Sequence, residues 1–172
     1  MLIIKDGGKL MAKSKKAQGS AIFSILILAF AVVAIVGLFL DYVGTSVSGS
    51  IGDWGGSSEV GYIKLFDMEE TWGTISIIAG VAATALCALT AIVGLLKSFG
   101  VMNTGNVGKL FGLLSLVCGI FAIVAVFVWG GQYSDSIGGD FASITVTTAP
   151  AIGAWLVCVG SVLGGALGVA SK

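Results

Sequence analysis

Few side chains in this sequence are equipped for chemistry. Three cysteines, Cys87, Cys118 and Cys158, fall in three separate apolar stretches. Acids gather at Asp67, Glu69 and Glu70, with Asp135 and Asp140 further along. A thiol triad would suit a soft metal or a redox relay. Each cysteine, however, sits near the middle of an uncharged run, where a free thiol behaves as a small buried apolar residue. The acids offer oxygens to a hard cation, but calcium takes six to eight oxygens and their spacing matches no known loop. Ordinary solvation and helix capping account for them. Histidine and arginine are both absent, which removes imidazole acid–base and nucleophilic relays and every histidine metal site. The sequence therefore predicts no catalytic residue, no cofactor and no metal, with an enzyme the least favoured class.

The elements that carry these residues are set by hydropathy. Of 172 residues, 56% are hydrophobic and only 10% are charged, with a mean hydropathy of +1.05. A soluble domain carries roughly 25% charged residues, so this chain cannot clothe a water-facing surface. Nine lysines balance nine acids, and no basic face is available for nucleic acid. Four uncharged runs are long enough to cross a bilayer: Ser20 to Leu40, Gly73 to Leu96, Leu110 to Trp129 and Ala149 to Ala170. At about 1.5 Å per residue each reaches roughly 30 Å. They lack the period-two alternation of barrel strands, so they are helices. The predicted fold is an all-α membrane protein, a bundle of four transmembrane helices with the lipid bilayer as its first partner. A lysine-rich tail occupies 1–19, and the spans lie at 20–40, 73–96, 110–129 and 149–170. Outer loops fill 41–72 and 130–148, an inner loop fills 97–109, and 171–172 end the chain.

Orientation follows from the charges. Lys5, Lys9, Lys13, Lys15, Lys16, Lys97, Lys109 and Lys172 share one side of such a protein with a single acid, Asp6. The other side holds Lys64 and eight acids: Asp41, Asp53, Glu59, Asp67, Glu69, Glu70, Asp135 and Asp140. By the positive-inside rule both termini are cytoplasmic, in a plasma membrane of bacterial or archaeal type. Tyr42, Trp72, Trp129 and Tyr133 fall at outer span ends, where amphipathic rings favour the interface. Asp67 and Glu70 have capping-box spacing for the second helix, and Thr148 before Pro150 reads as the cap of the fourth. Asn103, Gly105, Asn106 and Gly108 predict a tight inner turn. A rival makes the first span a signal peptide, but its apolar run exceeds the usual 7–15 residues and lacks a small-x-small cleavage site. Two expectations concern the start: translation from Met11, because Gly7-Gly8 can be encoded as a bacterial ribosome-binding sequence, or a short disordered tail.

Both outer loops hold strand-like segments, at 61–66 and 141–147, with Val43 to Ile51 a weaker third. A small extracellular antiparallel sheet is expected from them, while Gly49 to Ser58 reads as a flexible Gly/Ser loop. Trp54, Tyr62, Phe66 and Phe141 are the candidate contact residues. Trp54-Gly55-Gly56 and Trp129-Gly130-Gly131 recur, which allows two copies of one hairpin. Within the spans, Gly160, Gly164 and Gly168 stand four apart with Gly153 in the same helix; Ala79, Ala83 and Gly80 form a similar stripe in the second. In lipid such stripes let backbones approach, either inside one bundle or as an oligomer interface on the fourth helix.

Inner termini, a long first outer loop containing Trp54-Gly55-Gly56 and strand-like segments in both outer loops are together similar to the claudin-type tetraspan plan. The loop has no cysteine, where claudins carry a Gly-Leu-Trp element and two cysteines. The resemblance spans the whole chain in layout and implies four helices beneath a small extracellular sheet with a contact role. The function expected is non-catalytic: self-assembly into a homo-oligomer, or service as a structural subunit of a larger membrane complex. The alternative is an oligomeric channel or transport component. No span carries the ionisable group that coupled transport uses, and no small-molecule substrate is identified.

Overall fold

The computed structural model describes residues 5–51, 53–101, 106–138 and 142–171, with side chains except at 5–20 and Val60. The order is α1 (Lys5–Phe39), β1 (Asp41–Ile51), β2 (Trp54–Lys64), a 3-10 turn (Leu65–Asp67), α2 (Glu70–Ser98), α3 (Val107–Tyr133), β3 (Asp135–Gly138), β4 (Ala142–Pro150) and α4 (Ile152–Ala170). Ala21–Phe39 of α1, and α2, α3 and α4 entire, are each long and apolar enough to cross a membrane. Five of the nineteen residues of α4 are glycine. In water each would cost the helix about 1 kcal/mol relative to alanine. In lipid, an unpaired backbone group costs several times that, so the helix is the only way to satisfy the chain.

The helices pack in a ring. Each contacts the next, α4 closes against α1, and α2 meets α4 across the diagonal. The side-chain pattern is inverted relative to a water-soluble core. Facing inward, α2 buries Ser76, Ala79, Gly80, Ala83, Thr84, Cys87 and Ala91, and α4 buries Gly153, Ala154, Gly160, Ser161, Gly164 and Gly168. Ile78, Val81, Leu89 and Ile92 of α2 and Trp155, Val159 and Leu163 of α4 face outward. Small residues inside and large aliphatic ones outside suit a surround that is itself apolar. At Gly37 and Gly153 the helices nearly touch: a methyl on either would lie 2.8 or 2.7 Å from the other's carbonyl oxygen. Gly112 and Gly165 repeat this between α3 and α4.

α2 ends in a Schellman cap. Gly100 adopts φ 72°, its N–H reaches Lys97 O at 3.1 Å, and Val101 N–H reaches Leu96 O at 3.0 Å. The expected inner-turn residues Asn103 and Gly105 lie outside the described residues. Gly108 lies within α3.

Beyond the opposite ends of the helices lies a four-stranded antiparallel sheet in the order β2-β1-β4-β3. β1 occupies its centre and joins the two long loops, pairing Ile51 with Trp54 on one side and with Ala142 on the other. Gly49 to Ser58, expected as a flexible loop, is instead strand at 49–51 and 54–58, with Gly49 opposite Gly56 and Ser48 opposite Ser57. Two backbones on either side satisfy β1 whatever its side chains contribute. Strand β2 stops at Lys64, so Leu65 and Phe66 belong to the 3-10 turn, where Leu65 is fully buried.

Both expected helix caps are replaced. Thr148 and Pro150 belong to β4, opposite Thr45 and Val43, and α4 begins at Ile152. Strand pairing with β1 satisfies this backbone, and Pro150 ends the strand where its missing donor is tolerated. Asp67 lies in the 3-10 turn and caps nothing; Glu69 precedes α2 with no side-chain cap bond, and Glu70 takes φ 71°. The Trp-Gly-Gly recurrence has no structural counterpart: Trp54-Gly55-Gly56 opens β2, whereas Trp129-Gly130-Gly131 lies within α3.

Candidate functional site

The sheet has two unlike faces, because side chains alternate along each strand and opposed residues share a side. On one face Ser46, Ser48 and Ser50 of β1 oppose Thr147, Thr145 and Ser143 of β4. Their hydroxyls bond across the strands: Ser46 Oγ and Ser48 Oγ donate to Thr147 O and Thr145 O at 3.5 and 3.4 Å, and Ser50 meets Ser143 at 2.8 Å. Tyr62 lies on this face over Gly44 and donates to the Glu59 carboxylate, which holds its phenol above the ordinary value.

On the other face run Val43, Thr45, Val47, Gly49 and Ile51, opposite Pro150, Thr148, Val146, Ile144 and Ala142. At its root this face is covered by the bundle, and Val43 is fully buried. At its far end it is bare. Ile51, Trp54 and Ile144, 65%, 86% and 56% exposed, line a hollow of about 580 Å³, and Ile137, 74% exposed, lies opposite Ile144 on the next strand. None of the residues lining that hollow is charged.

Of the expected contact residues, Trp54 lies at this tip. Tyr62 is on the hydroxyl face, and Phe66 sits in the 3-10 turn beside Phe39 of α1, ring centroids 6.4 Å apart. Phe141 lies outside the described residues. The expected residues therefore do not form one surface. Ile51, Ile137 and Ile144 complete the patch around Trp54; the signal for Ile51 and Ile144 in the sequence is the alternation of β-branched residues with serine or threonine from Val43 to Ile51 and from Ile144 to Thr147, and Ile137 has no such signal.

No family model, curated protein or solved structure matches this chain.

The glycine stripes lie inside the molecule. Gly160 faces Phe30 and Ala34 of α1, Gly164 faces Cys87 of α2, and Gly168 faces Thr90 and Gly112. Gly153 meets Gly37, and Ala79, Gly80 and Ala83 are likewise buried. An oligomer interface on this face of α4 is excluded sterically, because α1, α2 and α3 already occupy it. Ser115 Oγ ties three helices together, donating to Ala83 O at 3.0 Å and Ser161 O at 3.2 Å. Cys87 is fully buried near Gly160 O and Ile27 O, while Cys118 and Cys158 are half-buried on other helices.

A second hollow of about 360 Å³ lies between the root of the sheet and the helix ends. The sheet contributes Thr45, Ile63, Val146 and Thr148; the helix side contributes Asp67, Glu69, Trp129 and Tyr133. Trp129 is only 4% exposed, and its indole N–H donates to Glu69 O at 3.1 Å, fixing the approach to α2 against α3. Its ring centroid is 4.5 Å from that of Tyr133. Tyr42 and Trp129, expected at a lipid-facing interface, are buried between the sheet and the bundle.

Proposed function

We propose that this chain is a non-catalytic protein of the plasma membrane, both termini cytoplasmic and the sheet outside, that works by assembly through the bare apolar end of its sheet. The observation that carries this reading is the cluster of Ile51, Trp54, Ile137 and Ile144, large apolar side chains exposed together beyond the span ends. Soluble surfaces rarely present such patches unless they are contact sites. From their exposures the four present roughly 600 Å², near the lower limit per partner for a specific interface. Charge supports the same location. The segments on the sheet side hold eight acids and one lysine, so two copies repel over most of that surface. The hollow at the tip has no charged residue in its lining, and it is where they can approach, either as neighbours or head to head, with Asp53 beside it between Ile51 and Trp54. Orientation rests on the lysines: Lys97 and Lys109 lie at the helix ends opposite the sheet, with five more in the first half of α1.

The test is gentle extraction from native membranes, with native mass and co-purifying proteins measured together. Wild type is expected as an oligomer or a larger complex, and Ile51→Ser with Trp54→Ser is expected to reduce it to monomer while far-UV dichroism stays unchanged. A wild-type monomer with no companion would remove the reading. Liposome flux from the oligomer would instead favour a channel.

A further inference from the structure

We propose that the lysine end of the α2–α3 hairpin holds an anionic phospholipid, its headgroup against Lys97 and Lys109 and its chains along the outward face of α3. The two lysines are brought together by helix packing. A methyl on Gly108 would lie 3.4 Å from Val93, so the first turn of α3 packs beside the last turns of α2, and Lys97 follows Val93 by one helical turn. Both lysines are exposed, and among the described residues neither has a carboxylate partner. Asp6, the one acidic side chain in the segments at this end, belongs to the start of α1.

The helix dipole accounts for only one of the pair. Lys97 lies in the last turn of α2, where a cation is favoured. Lys109 lies in the first turn of α3, where a cation is opposed and no acid offsets it. Charge bias across a membrane places lysines on this side, but it does not require one in that turn. A negative group outside the chain relieves the conflict. A free anion or an acidic macromolecule would use the charge alone; the apolar neighbours select an amphiphile. Phe99 is exposed just beyond Lys97, Val107 and Leu110 are exposed around Lys109, and Leu113 and Val117 continue that stripe down α3. Where the apolar runs end, lysines meet headgroups and the stripe meets acyl chains. A zwitterionic head brings a cation that the lysines repel, so the choice falls on a lipid of net negative charge. Neither the apolar tip nor the side on which the termini lie affects this site.

The full chain, purified in an uncharged detergent, is mixed with phosphatidylglycerol and phosphatidylcholine of matched acyl chains, and bound lipid is counted by native mass spectrometry. Phosphatidylglycerol is expected to bind about tenfold more tightly or better, since each lysine near a headgroup contributes about fivefold. Lys97→Gln combined with Lys109→Gln should weaken phosphatidylglycerol by about tenfold or more, and Lys64→Gln, at the sheet end, should leave it unchanged. Soluble glycerol phosphate at the same concentration should not displace the lipid, because it has no chains for the stripe on α3. Far-UV dichroism checks that each variant is folded. Equal binding of the two lipids, undiminished phosphatidylglycerol binding in the folded double variant, an equal loss in Lys64→Gln, or displacement by glycerol phosphate overturns the proposal.

Discussion

Tyr42 is the residue whose behaviour departs furthest from its type. Its side chain is fully buried between β1 and the bundle, and its hydroxyl lies beside Gly80 with no partner in hydrogen-bond geometry. Ser76, the nearest hydroxyl to influence it, donates to Ala122 O instead. Burial raises the phenol from 10.0 to about 12, opposed in part by Ser76. A phenol raised on folding contributes stability that is complete below pH 10 and is lost as pH climbs through about 12, a difference of about 2–3 kcal/mol. Alkaline unfolding of the wild type should therefore steepen above pH 10, and Tyr42→Phe should remove that dependence while changing neutral-pH stability by no more than about 1 kcal/mol. Chemical denaturation in detergent across pH 8 to about 12 measures both. Tyr62 is also raised, by the Glu59 carboxylate, so absorbance titration should find at least two tyrosines above the ordinary value. Fewer than two raised tyrosines in the folded protein would contradict the packing. The sequence shows Tyr42 at the end of a span and so suggests an interfacial ring. It cannot show that β1 folds back and carries the ring inward, because that depends on Val43 pairing with Pro150, over a hundred residues away.

Among the elements, the helices were legible and the strands only in part. Uncharged apolar runs leave lipid-immersed backbone a single solution, so all four helices follow from composition. The parts of β2 at 61–64 and of β4 at 142–147 were visible from β-branched and aromatic residues, while Leu65 and Phe66, expected as strand, form the 3-10 turn. β3 and the Gly/Ser-rich halves of the β1–β2 hairpin were not, because their pairing comes from partner backbones and their own propensity is low. Thr148 shows the same competition: a residue suited to capping α4 is held in β4 by Thr45. The glycine stripes were legible as close-packing surfaces, and the structure supplies what they meet. Gly153→Leu should push α4 from α1 and cost about 2–3 kcal/mol, and Gly112→Val should do the same between α3 and α4. The outward Val159→Leu should stay within about 0.5 kcal/mol. Thermal melts in one detergent compare the three. If Gly153→Leu lowers an oligomer's mass while leaving monomer stability intact, the internal packing of α4 is wrong.

For the whole molecule, segregated charge and an inverted core describe one object: a bundle with small residues inside, large apolar ones outside, acids at the sheet end and lysines at the other. Cysteine labelling tests the orientation, with Ser57→Cys in β2 and Lys109→Cys in α3 as reporters. An impermeant maleimide should reach the first in intact cells and the second only after permeabilisation. The reverse pattern would invert the protein. The apolar tip could not be read from any one loop, because Trp54 belongs to one and Ile137 and Ile144 to the other, and β1 brings them together. The claim that rests most heavily on this assembly is that the tip is a contact surface. Native mass of the wild type beside Ile51→Ser with Trp54→Ser, both extracted from membranes under the same gentle conditions, tests it most directly. The account predicts a wild-type oligomer or complex that falls to monomer in the folded variant; equal masses for the two would contradict it.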